Sequence, residues 1–281
     1  MSPQSMGNEP PGDGQRDRAL ILWHSYLTGD LSQLDSLTKT VRRVFRHLPS
    51  APRCRVCNAP FQGVGGLVVS LFGFGAGRSS FNPSLCDRCE ILVKHHQVGS
   101  EVELTLLFAD VRGSTALAEE IGASAFHRLI NRFYTASTGV LVRTGALIEK
   151  MIGDEVAGLY VPGIAGPDHA RVAVDAARAL LKETGHAGPG EPWIRVGAGV
   201  HTGVAYVGAV GSSQSVSDIT VLGDVANTAA RLASAAGAGE ILVSAEACHA
   251  AGLSLDGCET QLLELKGRSQ PLPVRVLRVM E

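Results

Sequence analysis

Two aspartates stand at positions suited to holding a metal. Asp110 closes the apolar run "ELTLLFADV" (103–111), and Asp154 sits in the turn of "IEKMIGDEVAGLY" (148–160). Carboxylates at strand ends beside glycine turns are the hard oxygen ligands that Mg²⁺ or Mn²⁺ takes and commonly shares with substrate phosphates. With the strand lying beside the hairpin, both carboxylates reach one point. The turn "RGST" follows Asp110 and opens a helix. The backbone N–H groups of 111–115, which include Gly113, Ser114 and Thr115, are therefore expected to cradle phosphate oxygens. Taken singly, either aspartate reads as readily as a turn former or helix cap. The combination is what points to metal and phosphate chemistry.

Four further residues carry a different chemistry. Cys54, Cys57, Cys86 and Cys89 form C-x2-C-x28-C-x2-C, close to the spacing of tetrahedral four-cysteine zinc sites, with a long middle loop. An iron–sulfur cluster is the alternative occupant. Cys248 and Cys258 stand apart and read as ordinary small hydrophobes. Paired thiols in a reducing compartment point to a metal before a disulfide. The expected location is the cytoplasm, because "MSPQSMGNEPPGDGQ" lacks the basic and apolar regions of a signal peptide. No run reaches the roughly 18 to 20 apolar residues of a membrane span.

The elements that must position these groups can be read from periodicity. The first residues, 1–16, are rich in Pro, Gly and Asn and read as a disordered tail. Residues 17–97 read as one or two short helices, N-capped by Asp30 or Ser32 and stopped by Pro49, followed by a loop-rich cysteine knuckle. From residue 98 to 281 strands and helices alternate. Phe126, Leu129, Ile130, Phe133, Val140 and Leu141 recur at helical spacing, which predicts a helix over 123–143. Strands at 145–151 and 155–161 flank Gly153-Asp154 as a hairpin. A helix over 168–184 follows, then "WIRVGAGVHTGVAYVGAVG" as a second hairpin of small residues, "DITVLGD" as a strand and "DVANTAARLASAAG" as a helix. The order βαββαβ with added elements predicts an α+β, ferredoxin-like sandwich with a small N-terminal metal-knuckle region.

Charge divides along the same line. Residues 1–100 carry 11 Lys+Arg against 7 Asp+Glu, whereas the remainder carries 14 against 20, so the two regions differ in sign. Neither holds a basic stripe interleaved with aromatics, and 5% aromatic content is low for a stacking platform, so nucleic acid is not an expected partner.

"FADVRGST", "EKMIGDEVAGLY", "VGAGVHTGVAYVGAVG" and "DITVLGDVANTAARLASAAGAGEILVS" together resemble, in order and spacing, the class III nucleotidyl (adenylyl/guanylyl) cyclase catalytic domain. The resemblance covers roughly residues 101–281. It implies that Asp110, Asp154 and the carbonyl of Val111 bind two Mg²⁺ or Mn²⁺ ions. It puts Lys150 and Thr220 at the purine base, threonine being the residue of one bacterial subgroup. Asn227 and Arg231 fall on the pair that orients the ribose and stabilises the transition state, and Lys266 on the triphosphate contact. Ser114 stands where the family commonly has a large apolar residue.

The chemistry fits the residue types. A 3′-hydroxyl must attack the α-phosphorus in line as pyrophosphate leaves. Lys150 can donate to adenine N1, and Thr220 can accept from its N6 amino group. A hydroxyl also donates, however, so threonine by itself leaves guanine open. The resemblance further implies a head-to-tail homodimer with two equivalent sites, each taking metal ligands from one chain and base, ribose and triphosphate contacts from the other. The function expected is an adenylate cyclase acting on ATP. The alternatives are a guanylate or other nucleotidyl cyclase, or an inactive nucleotide-sensing module.

Overall fold

The computed structural model describes residues 13–71, 77–79, 82–211, 217–254, 259–264 and 271–279. Four helices come first: α1 (Asp13–Thr28), α2 (Ser36–His47), α3 (Gly63–Leu71) and α4 (Asp87–His96). The first helix thus begins at Asp13, inside the stretch expected to be a disordered tail. The N-cap of α2 is Asp35, not Asp30 or Ser32; its carboxylate accepts the Thr38 N–H at 2.8 Å. Asp30 instead accepts from Ser32 N in the preceding loop, a turn interaction that competes with capping. Leu48 ends α2 just before Pro49, as expected.

The sheet follows. In chain order the elements are β1 (Gly99–Val111), α5 (Ser114–Ile121), α6 (Ala123–Arg143), β2 (Leu147–Ile152), β3 (Glu155–Tyr160), α7 (Pro162–Ala165) and α8 (His169–Glu183). Then come β4 (Val196–Gly211), β5 (Ser217–Leu222), α9 (Asp224–Ala235), β6 (Glu240–Ser244), α10 (Ala245–Ala250), β7 (Thr260–Leu263) and β8 (Leu272–Arg278). Strands run β2-β3-β1-β4-β6-β8-β7, with β5 paired to β4. The inner order β2-β3-β1-β4 is antiparallel throughout, which is the ferredoxin-like arrangement of a βαββαβ unit.

One expected element is corrected. Residues 193–211 do not fold back as a hairpin; β4 is a single strand, and the hairpin joins it to β5. The glycines that suggested a turn serve close approach instead. A Cβ on Gly199 would lie 2.3 Å from the Ala233 nitrogen and 2.6 Å from the Ala229 carbonyl, so only glycine lets α9 lie on the strand.

Alternation along β1 feeds two cores. Leu107, Ala109 and Val111 pack against α6, α8 and α10. Leu104, Leu106 and Phe108 face the other way, into a core shared by α9 with Trp23, Tyr26 and Leu27 of α1 and with the cysteine region. Trp23 is fully buried, and its indole N–H donates to the Val207 carbonyl of β4 at 2.9 Å. The cysteine region also covers the free edge of β2: Asn82 Nδ2 donates to the Ile148 carbonyl at 3.2 Å and Ser84 Oγ to the Ala146 carbonyl at 3.1 Å. An open edge is thereby closed against stray strand pairing.

Candidate active site

The β1 strand and the β2–β3 turn meet at one point. Register pairs Asp110 with Glu155 of β3 and Gly197 of β4, and the Val111 N–H donates to the Asp154 carbonyl at 3.1 Å. The two aspartate side chains are thereby gathered. Burial raises the Asp110 carboxyl above its ordinary value, the Arg112 guanidinium opposes that rise, and the nearby Asp154 adds to it. Two carboxylates pressed together in a half-buried position form a donor set that a divalent cation would neutralise, which fits the expected metal. Glu155 stands directly across from Asp110, so the two share a sheet face.

Arg112 is a site neighbour that sequence reasoning missed. Its guanidinium pairs with the Asp110 carboxylate and donates to the carbonyls of Ser234 at 2.7 Å and Ala236 at 3.3 Å. It therefore ties β1 to the C-terminal end of α9, where orphan carbonyls favour a cation. Tyr134 of α6 donates to the Gly153 carbonyl at 2.9 Å and steadies the turn that carries Asp154. Burial, and then the Asp154 charge, raise its phenol above the ordinary value.

The phosphate cradle is narrower than expected. Two of its five N–H groups are engaged: Val111 donates to Asp154 and Arg112 donates to the Arg195 carbonyl at 2.8 Å. What remains is the start of α5, where Gly113 is the N-cap with φ +68°, a conformation that glycine takes without strain. Ser114, Thr115, Phe126, His127, Tyr134 and Asp154 line an open groove of ≈ 780 Å³ there.

The remaining predicted residues lie elsewhere. Asn227 is exposed and Arg231 half-buried on α9, one turn apart on the same face. Lys150 lies on β2 and Thr220 on β5. A bulge falls between Ile148 and Lys150, because Ile148 pairs with Gly158 and Lys150 with Ala157. The extra residue is Glu149, which the sequence left unassigned. It is 7% exposed, and its Oε1 accepts a hydrogen bond from Thr220 Oγ1 at 2.6 Å. Lys266 and Cys258 lie outside the described residues.

Within the cysteine region the four sulfurs of Cys54, Cys57, Cys86 and Cys89 all lie within 4.8 Å of one another. Cys57 and Cys86 are 3.8 Å apart, the edge expected of a tetrahedron with metal–sulfur bonds of about 2.3 Å. The first pair sits in a tight knuckle closed by Asn58 N to the Cys54 carbonyl at 2.9 Å, with Asn58 at φ +64°. The second pair brackets the start of α4, whose N-terminus favours thiolate charge. The Cys86 N–H donates to Cys54 Sγ at 3.3 Å. Hydrogen bonds from Cys57, Cys86 and Cys89 draw the Cys54 thiol down, while the same network pushes Cys89 up. Cys248 is buried among apolar neighbours, as expected of a small hydrophobe.

The β2-β3-β1-β4 core puts the chain in the ferredoxin-like α+β class. Within that class it belongs to the family of adenylate and guanylate cyclase catalytic domains, whose family model matches residues 96–272. Among curated proteins it is similar to an adenylate cyclase of Anabaena cylindrica, 32% identical over 150 residues, which are 50% of this chain and 29% of that protein. It is also similar to adenylate cyclase 1 of Rhizobium meliloti, 27% identical over 46% of this chain and 20% of that protein. The matched region thus spans less than a third of the length of these two relatives. Among solved structures, the adenylyl cyclase CyaB from P. aeruginosa aligns with TM-score 0.55 and 29% identity, covering 64% of this chain and 95% of that one. The guanylyl cyclase Cya2 aligns with TM-score 0.55 and 25% identity, covering 63% and 92%. Among the described residues, no helix is long and apolar enough to cross a membrane.

Proposed function

We propose that the chain is an adenylate cyclase that converts ATP to 3′,5′-cyclic AMP and pyrophosphate at the interface of a head-to-tail homodimer. The observation that carries this is the gathering of Asp110 with Asp154, which lines a groove together with Ser114 and Thr115. Held by Asp110, Asp154 and the Val111 carbonyl, two Mg²⁺ or Mn²⁺ ions would supply activation of the 3′-hydroxyl and neutralisation of the leaving pyrophosphate. The free N–H groups of 113–115 at the start of α5 receive phosphate oxygens. Arg231, aimed at the charge that develops on the α-phosphate, and Asn227, holding the ribose, act from one face of α9. Lys150 and Thr220 meet the base, and Lys266 the triphosphate. In a symmetric dimer these five residues would serve the carboxylates of the partner subunit.

The four cysteines read best as a structural zinc site, with an iron–sulfur cluster as the alternative. A reducing cytoplasm is the setting in which four thiolates stay available to a metal. Elemental analysis separates the two: one zinc per chain and no visible absorbance, against iron with a brown chromophore.

A GTP-specific reading is kept because a guanylyl cyclase structure aligns as well as an adenylyl one. Incubation with ATP, GTP, CTP or UTP and Mn²⁺, with products identified by mass spectrometry, decides the matter. Cyclic AMP from ATP is expected. Cyclic GMP as the main product would move the substrate to GTP. Nucleotide binding with no cyclic product from any of the four would leave a sensing module.

A further inference from the structure

We propose that Glu149 is a specificity-determining residue, which fixes the direction of the Thr220 hydroxyl and so makes the base pocket select adenine. The inference rests on the cyclase reading in one respect, that Thr220 lies at the nucleotide base.

Glu149 and Thr220 are 71 residues apart in sequence, and β5 brings Thr220 to the bulged residue of β2. Glu149 is the residue inserted between the paired positions Ile148 and Lys150, and such a bulge re-aims the inserted side chain. The contact between Thr220 Oγ1 and Glu149 Oε1 is 2.6 Å, the length of a hydroxyl donating to a carboxylate oxygen. Glu149 is 7% exposed and Thr220 half-buried, so water has little access to this bond.

A threonine hydroxyl has one proton and two lone pairs. With the proton committed to Glu149, only lone pairs face a ligand. The adenine N6 amino group donates, and Thr220 can accept from it. Guanine O6 also accepts, and against an oriented Thr220 it meets lone pair with lone pair. The ambiguity of a free threonine is thus removed by a neighbour that never touches the nucleotide. Glu149 is in this sense a positioning residue, and Thr220 the one that contacts substrate.

The test uses the full chain with Mn²⁺ and 3′-deoxy-ATP or 3′-deoxy-GTP, which bind but cannot cyclise, alongside kcat/KM for ATP and GTP. The wild type should favour the adenine nucleotide. Glu149→Gln keeps the volume but lets the amide donate to Thr220, freeing the hydroxyl proton; the adenine-to-guanine ratio should fall roughly tenfold, in KM more than kcat. In Glu149→Gln/Thr220→Asp the ratio should return, because a carboxylate accepts without being oriented. Should Glu149→Gln not fold, Thr220→Val removes the same bond from the other side and should also lose the preference.

A ratio unmoved in folded Glu149→Gln, or retained in Thr220→Val, overturns the inference. So does a wild type that favours guanine and loses guanine affinity on Glu149→Gln, which would make Glu149 itself the base reader. Binding of neither nucleotide overturns it as well. The cyclase reading fails separately: a wild type that binds adenine selectively through Glu149 but forms no cyclic product keeps the inference and loses the enzyme. Cyclic AMP formation with an unmoved ratio does the reverse.

Discussion

The chain holds two candidate metal sites, and they are built on opposite plans. The four-cysteine site gathers soft ligands from a knuckle and a helix start within one chain, with all four sulfurs inside 4.8 Å and two of the residues fully buried. The Asp110–Asp154 site offers two hard ligands, of which Asp154 lines an open groove. A closed set of four protein ligands suits a structural metal, whereas an incomplete set leaves positions for substrate. Each metal's binding free energy would accordingly act on a different part of the molecule. At the cysteines it would hold α1, α4 and the β2 edge against the sheet; at the aspartates it would act on a bound nucleotide.

The largest effect expected separates the two directly. Asp154→Ala should lower cyclase turnover by about 10³-fold or more, since several kcal/mol of transition-state stabilisation depend on the metal. Its melting temperature should stay near that of the wild type. A large loss of stability with this substitution would break the distinction by giving the aspartate site a structural role.

The converse test follows. Cys89→Ser, or removal of the metal with a strong chelator, should lower Tm by roughly 10 °C or more, because a structural metal contributes its binding free energy to folding. Any activity that survives should keep its nucleotide preference. An unchanged Tm together with lost turnover would instead place the cysteines in the reaction.

A smaller effect comes from protons. His169 is buried beside Thr105, whose hydroxyl lies 3.0 Å from His169 Nδ1, and burial lowers its pKa from the usual 6.5. His186 is lowered for the same first reason. Below pH 6.5 the unfolded chain takes up more protons than the folded one at these residues. Their contribution is therefore complete above pH 6.5 and is lost as pH falls through the folded values. A melting series from pH 8 to pH 5 should show Tm falling on the acid side, and the fall should persist in Cys89→Ser because His169 packs on the opposite face of the sheet from the cysteines. A series that is flat in Cys89→Ser would assign the acid sensitivity to the cysteine site.

Much of this was legible in the sequence where the signal is local. The helix over 123–143 was marked by its apolar spacing, and it is observed as Ala123–Arg143. Asp110 and Asp154 could both be singled out from a strand end and a Gly-Asp turn. Long-range features were not legible. Glycines in β4 read as a turn because nothing local shows that α9 will press on them. Two N–H groups expected for phosphate are engaged by Asp154 and Arg195, which join them only once the sheet forms. Glu149 could not be assigned, since neither its bulge nor its bond to Thr220 has a signature within a few residues of it. Arg112 had one cue, a cation two positions after a strand-end aspartate, but its contacts with α9 join residues 122 and 124 positions away.

A shared site needs a second chain to complete the aspartates, whereas the four cysteines come from one chain. Asp154→Ala and Arg231→Ala chains, each inactive alone, should be mixed, allowed to exchange subunits and assayed for cyclic AMP. Every mixed dimer would hold one site with both intact sets and one with neither. Activity should then return to about one quarter of the wild-type value per chain, the statistical share for random pairing in a two-fold dimer. No recovery, with exchange demonstrated by mass spectrometry of the mixed dimer, would contradict a site shared between chains.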